Sequence, residues 1–300
     1  MKSILTPLLL TLSLITPAHA WHAEGHMAIA RLAVESLPED VPAFFRDNAE
    51  AIAEGSLDPD LFKNRQLPHL TPTEAPDHYF HLEELPSPEL PETREDWIAF
   101  CNDNNIAIDD AGTLPYVVME MTERLTLAFA EVRRRPDSEA VKQRAITYAG
   151  LLAHYSGDLS MPLHCTIHYN GRANPDGSSP RTGIHGRIDS LPGKVNPARF
   201  TAEPLPTPYV AQNLPLMMVR EMRVSNSYVD LSYELDDRIP PIGVMELDDE
   251  QVIDYTIDRV RHGAHATASL YLTAWRNSED LRLPRWLNNA LPVHDHDHQH

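Results

Sequence analysis

His154-Tyr155-Ser156-Gly157-Asp158-Leu159-Ser160-Met161-Pro162-Leu163-His164-Cys165-Thr166 is the stretch on which the reading of this chain turns. On a helix, residues four apart share one face, so His154 and Asp158 aim at one point. His164 follows, and further on His185 and Asp189 repeat the four-residue spacing. Neutral imidazole with carboxylate is ligand chemistry for zinc and its neighbours. The lack of thiolates in the pattern speaks against a closed structural zinc site and for a catalytic metal centre.

The residues leading into this stretch carry the helical period. Ser138 precedes an apolar face from Val141 to Leu152, which predicts a helix ending at Gly157. The same pattern predicts helices over 26–37, 41–54, 114–135 and 249–277. Pro42 suits a first turn, and Asp248 and Asp249 suit an N-terminus. No alternating run is long enough to demand a sheet. The prolines cluster in 68–91, 175–206 and at Pro240-Pro241, marking long loops of the kind that often carry function. No internal repeat is present. The expectation is an all-α domain with irregular connections.

The chain has 300 residues, 25 basic and 44 acidic, for a formal net charge of −19. That balance disfavours binding of nucleic acid along basic grooves, leaving phosphate recognition to metals or local arginines. Met1 to Ala20 reads as a secretory signal, with Lys2, an apolar Ile4–Ile15 and a small-x-small Ala18-His19-Ala20. Its apolar run is shorter than the roughly 20 residues a membrane span needs. Export to a periplasmic or extracellular location is expected, with no transmembrane segment in the mature chain. Cleavage after Ala20 would expose the Trp21 amine, a metal donor once neutral. The remainder divides into a hydrolase domain over 21–290 and a His/Asp-rich tail over 291–300. That tail suits zinc gathering, a disordered end or an expression remnant. Cys101 and Cys165 are the only cysteines; whether they pair stays open.

Further candidate ligands lie upstream: His26, the Gly55-Ser56-Leu57-Asp58-Pro59-Asp60 turn, and Asp77-His78-Tyr79-Phe80-His81. Asp58 competes with Asp60, and His81 with His78. In order, the series runs Trp21, His26, Asp60, His78, His154, Asp158, His164, His185, Asp189. This series resembles the superfamily of zinc-dependent phospholipases C and single-strand-specific nucleases of the S-one and P-one type, over about residues 21–189. The resemblance favours Asp60 and His78. It implies an all-α phospholipase C/nuclease-like fold with three zinc ions. Asp60, His78, His154 and Asp158 would hold the first; Trp21, His26 and a bridging Asp158 the second; His164, His185 and Asp189 the third. Asp60 and Asp158 are the candidate catalytic carboxylates, Asp60 orienting the attacking water.

The resemblance implies metal-assisted hydrolysis of a P–O bond. Single-stranded DNA or RNA is the first expected substrate, drawing on the short Trp21-to-His26 spacing, the Gly25-His26 pair and Asp at 189. The alternative is a zinc-dependent phospholipase C acting on phospholipid headgroups. It draws on Asp58-Pro59-Asp60 and on the missing Gly-Gly-Asn between His164 and His185, where Asn170-Gly171-Arg172 and Asn174 stand. A non-catalytic periplasmic zinc-binding protein is the reading of another class, suggested by the tail. No stable protein partner is implied. His168 and Arg172 are more simply a solvated loop than phosphate contacts. Residues 216–219, Tyr228 and Tyr233 read as core, and His22, His69, His262 and His265 as ordinary histidines.

Overall fold

Apolar faces at helical spacing set the long elements of this fold, a computed structural model that describes residues 21–287, and the Asp249 side chain caps the start of the longest. The expected signal over 1–20 and the tail over 291–300 lie outside the described residues. Along the chain, α1 (Ala23–Glu35), α2 (Ala43–Arg46), α3 (Ala49–Gly55), α4 (Asp58–Phe62) and α5 (Thr71–Glu74) come first. Then follow α6 (Arg94–Asp103), α7 (Ile108–Ala111), α8 (Leu114–Arg134), α9 (Glu139–Asp158), α10 (Ile184–Asp189), α11 (Leu214–Asn226), α12 (Val229–Glu234) and α13 (Glu250–Asn277). No strand occurs among the described residues; two isolated bridges, Phe80–Gly112 and Tyr169–Gly171, pin loops. The fold is all-α, as the periodicity indicated.

The longest helix, α13, packs along α1, α8 and α9, while α3 lies across α9 and α1. Phe45 sits at this junction, its ring 5.3 Å from Tyr271 and 5.2 Å from Phe129. Burying each such ring contributes roughly 1.5–3 kcal/mol. A second apolar cluster gathers Trp21, Ile29, Met161, Leu163, Ile184 and Ile188. The chain crosses from the first cluster to the second just beyond Asp158, since Leu159 belongs to one and Met161 to the other. Buried hydroxyls on α13 are satisfied internally: Thr256, Thr267 and Thr273 each donate to the carbonyl four residues back.

Three expectations change in detail. The helix expected over 41–54 breaks into α2 and α3, because Asn48 Nδ2 donates to the Phe44 carbonyl at 2.7 Å and competes with the backbone ladder. Helix α6 was not anticipated, although Thr93 and Asp96 form a reciprocal capping box at its start. In α11, Met217, Met218 and Val219 are buried as expected, but Leu216 is 67% exposed. Cys101 and Cys165 are both buried free thiols. No described helix is long and apolar enough to cross a membrane.

Candidate metal centre

The site begins with two glycines. A Cβ on Gly150 of α9 would lie 2.8 Å from the Gly55 carbonyl carbon at the end of α3, so the two backbones touch there only because Gly150 has no side chain. That approach carries the Ser56 carbonyl to within 2.7 Å of His154 Nδ1, one turn further along α9. Nδ1 must donate, so Nε2 keeps its lone pair. Two other histidines are fixed in the same way. His164 Nδ1 donates to the His78 carbonyl at 2.6 Å, and His185 Nδ1 donates to the Tyr169 carbonyl at 3.1 Å. Backbone acceptors behind imidazoles are the usual support of metal-ligating histidines.

The lone pairs so presented converge. His154 Nε2 lies 3.0 Å from His78 Nδ1, 3.5 Å from Asp158 Oδ2 and 4.0 Å from Asp60 Oδ1. His164 Nε2 and His185 Nε2 face each other at 3.1 Å, and His185 Nε2 is 3.2 Å from Asp189 Oδ2. His26 stacks on His154 with ring centroids 3.8 Å apart, its Nε2 3.5 Å from Asp158 Oδ1. Gly157 makes room for that ring, since a Cβ there would lie 3.2 Å from His26 Nδ1. Two acceptor nitrogens pointed at one another repel unless a shared cation takes both.

Three groups of donor atoms result, each with its atoms within 4.8 Å of one another: His26, His154 and Asp158; Asp60, His78 and His154; His164, His185 and Asp189. Several atoms have no hydrogen-bond partner at all, among them both ring nitrogens of His26, Asp158 Oδ1 and both carboxylate oxygens of Asp189. Such orphans are costly in a protein interior. Burial pushes His26, His78, His154 and His164 well below the ordinary imidazole range, keeping them neutral donors. Burial likewise raises Asp158 and Asp189 above the ordinary carboxylate range. Divalent cations would satisfy the orphan atoms and reverse that carboxylate cost. The donor set fits zinc.

The other expected residues fall around these groups. Trp21 is fully buried; its indole Nε1 donates to Ser160 Oγ at 3.3 Å, and the next amide, of His22, donates to the Asp189 carbonyl at 3.0 Å. Gly25 permits this, because a Cβ there would come 2.9 Å from Trp21 Cβ. Of the open pairs, Asp60 and His78 join the donor groups, whereas Asp58 and His81 do not. His81 is buried and stacks on Tyr169 with centroids 5.7 Å apart. His168 and Arg172 do not enter the site: His168 Nδ1 accepts from the Ala173 amide, and Arg172 pairs with Asp230 and lies over Tyr233.

Sequence reasoning missed the wall of the site. A cavity of about 210 Å³ opens onto His78, His164 and His185, bounded by Lys63, Tyr79, Tyr169, Asp109 and Asp110. Lys63 Nζ is 2.6 Å from Asp60 Oδ1. Glu74 Oε1 lies 3.8 Å from His78 Nε2 and accepts from the Tyr155 hydroxyl. Lys63 follows Asp60 by three positions and Glu74 precedes His78 by four, spacings that could have flagged both. Asp109 and Asp110 arrive from the short helix α7 and Tyr169 from a distant loop, with no local signal.

No family model matches this chain, and no curated protein matches it in sequence. Among solved structures it is similar to the alpha toxin of Clostridium absonum, with 12% identity and a TM-score of 0.44 over 89% of this chain and 66% of the toxin. It is also similar to the alpha-toxin of an avian strain of Clostridium perfringens, with 14% identity and a TM-score of 0.40 over 88% of this chain and 65% of that one. The chain thus spans just under two thirds of the length of either toxin.

Proposed function

We propose that this protein is a zinc-dependent hydrolase of phosphoric esters whose preferred substrate is a phosphodiester bearing a cationic headgroup, as in choline phospholipids. The observation that carries the hydrolase reading is the convergence of neutral imidazoles and orphaned carboxylates into three neighbouring donor groups, two of which share His154. Asp60, His78, His154 and Asp158 would hold one ion, His26 with Asp158 and the Trp21 main chain a second, and His164, His185 and Asp189 a third. When bound, zinc supplies charge for the phosphoryl and leaving oxygens and lowers the pKa of water.

The chain's own groups do the rest. Asp60 shares a donor group with His78 and pairs with Lys63, both of which line the cavity, and its carboxylate can accept a proton from, and orient, an attacking water. Lys63, held against Asp60, puts an ammonium on the same wall, a point charge suited to a phosphate oxygen. Opposite charge for a headgroup comes from Asp109 and Asp110, and aromatic faces from Tyr79 and Tyr169. A quaternary ammonium over such faces gains about 0.5–2 kcal/mol. Acidic residues beside the site repel a polyanionic strand but not a zwitterionic lipid. This reverses the order of substrates expected from the sequence alone.

The nuclease reading keeps one supporting observation. Tyr79, directly after His78, and Tyr169 line the cavity and could stack a base as well as hold a cation. Initial rates on phosphatidylcholine and on single-stranded DNA and RNA, each with and without chelator, separate the two. Chelator-sensitive release of phosphocholine with inert nucleic acid is the expected result. Chelator-sensitive cleavage of the nucleic acids alone would restore the nuclease. Zinc retention with no turnover of either would leave only a metal-binding protein.

A further inference from the structure

The segment Leu61-Phe62-Lys63-Asn64-Arg65-Gln66-Leu67-Pro68-His69-Leu70, beside the cavity, combines two features. It contains no acidic residue, although acidic residues outnumber basic ones 44 to 25 overall. It also turns three leucines outward: Leu61 is 66% exposed, Leu67 45% and Leu70 36%. Arg65 and His69 between them are exposed as well. Isolated surface leucines need no explanation, but three on one basic turn invite one.

The turn is built rather than loose. Asn64 accepts the Gln66 amide on its side chain at 3.0 Å and the Leu67 amide on its carbonyl at 2.8 Å, and Thr71 Oγ1 donates to the same carbonyl at 2.7 Å. Leu70 and Thr71 in turn donate their amides to the Leu67 carbonyl. The backbone is therefore satisfied with the leucines held out. The turn also stands at the cavity: Asp60 immediately precedes it, and Lys63 within it lines the cavity wall.

We propose that residues 61–70 are a docking surface for a phospholipid bilayer, the leucines entering the acyl boundary while Arg65 and His69 meet lipid phosphates. Apolar side chains interleaved with basic ones are the composition of interfacial membrane segments, and the exposed Arg65 guanidinium complements the phosphate layer. Docking by this turn would bring the headgroup layer to the cavity mouth. The surface goes beyond the hydrolase reading and rests on it only for its purpose, since vesicle binding can be measured without turnover.

The test measures flotation of the zinc-loaded protein with phosphatidylcholine vesicles on ice, and hydrolysis of soluble para-nitrophenylphosphorylcholine. Parent, Leu67→Ser/Leu70→Ser and, as an exposed leucine on α8, Leu127→Ser are compared. The double variant should lose at least about tenfold in vesicle partitioning, because each leucine withdrawn forfeits a good part of its transfer free energy. Its rate on the soluble substrate should equal the parent's, and Leu127→Ser should match the parent in both. A parent that does not float with vesicles, or a double variant that floats equally well, overturns the proposal. So does light scattering that shows a dimer dissociated by the double substitution, since a second copy would then cover the leucines. Parent flotation lost in the double variant, without hydrolysis of any phosphodiester, would uphold the surface and refute the hydrolase reading.

Discussion

Replacing Gly150 by alanine probes the contact on which His154 depends. The new Cβ would sit 2.8 Å from Gly55 C, 2.9 Å from Gly55 Cα and 3.0 Å from the Ile52 carbonyl oxygen, all backbone atoms that no rotamer change can move. Relief requires α3 and α9 to separate by roughly half an ångström, an overpacking cost of about 1–3 kcal/mol. Helix propensity returns up to about 1 kcal/mol, since alanine outranks glycine in a helix interior. Separation also stretches the 2.7 Å bond from His154 Nδ1 to the Ser56 carbonyl, which costs about 1 kcal/mol more. The net is about 1–3 kcal/mol, or a fall in Tm of about 2–5 °C for a domain of this size. Loss of the carbonyl that orients His154 should weaken zinc binding by about 10–100-fold. Gly55→Ala is the internal control, because its Cβ would meet nothing nearer than 3.6 Å. Thermal unfolding with and without zinc, and competition against a fluorescent chelator, give both readouts. Gly150→Ala matching Gly55→Ala in both would refute the claim that backbone contact sets the ligand.

Asp158→Asn keeps the shape of a fully buried side chain while removing the carboxylate that reaches His26, His78 and His154. Metal analysis should find fewer ions per chain and phosphodiesterase activity should fall by at least about 10²-fold; full zinc content would count against the assignment. Burial pushes His81 down to about 4, against an ordinary value near 6.5. Above pH 6.5 both folded and unfolded forms are neutral there, and as pH falls below that value only the unfolded chain gains the proton. His81 should thus remove about 2 kcal/mol of stability between pH 7.5 and pH 5, seen as a steeper acid loss in the parent than in His81→Gln by urea denaturation. Thr93→Ala removes the hydroxyl half of the α6 capping box and should cost about 1 kcal/mol by the same assay.

What was legible in the sequence was what is local. His154/Asp158 and His185/Asp189 announce themselves by a four-residue spacing, and α8, α9 and α13 by an apolar period long enough to survive their polar residues. What was not legible depends on segments meeting. Helix α6 hides because its box closes with Asp96 where a longer acid is usual. Gly55 and Gly150 carry no pairing signal across the sequence. Asp109, Asp110 and Tyr169 become cavity wall only through the tertiary fold, so the surroundings of the ligands, which bear on the substrate, stayed out of reach.

The carbonyls behind His154, His164 and His185 belong to Ser56, His78 and Tyr169, residues of three separate segments. Each ring is therefore correctly turned only after its own remote segment has docked. An unfolded or half-assembled chain offers the same histidines with free tautomers and no convergence, so its grip on zinc is weak. With zinc bound as proposed, ion uptake would act as proofreading: zinc at a hundred times its dissociation constant would add about 2.7 kcal/mol per site to the native state alone. A protease in zinc-rich surroundings would spare the finished molecules and remove the rest.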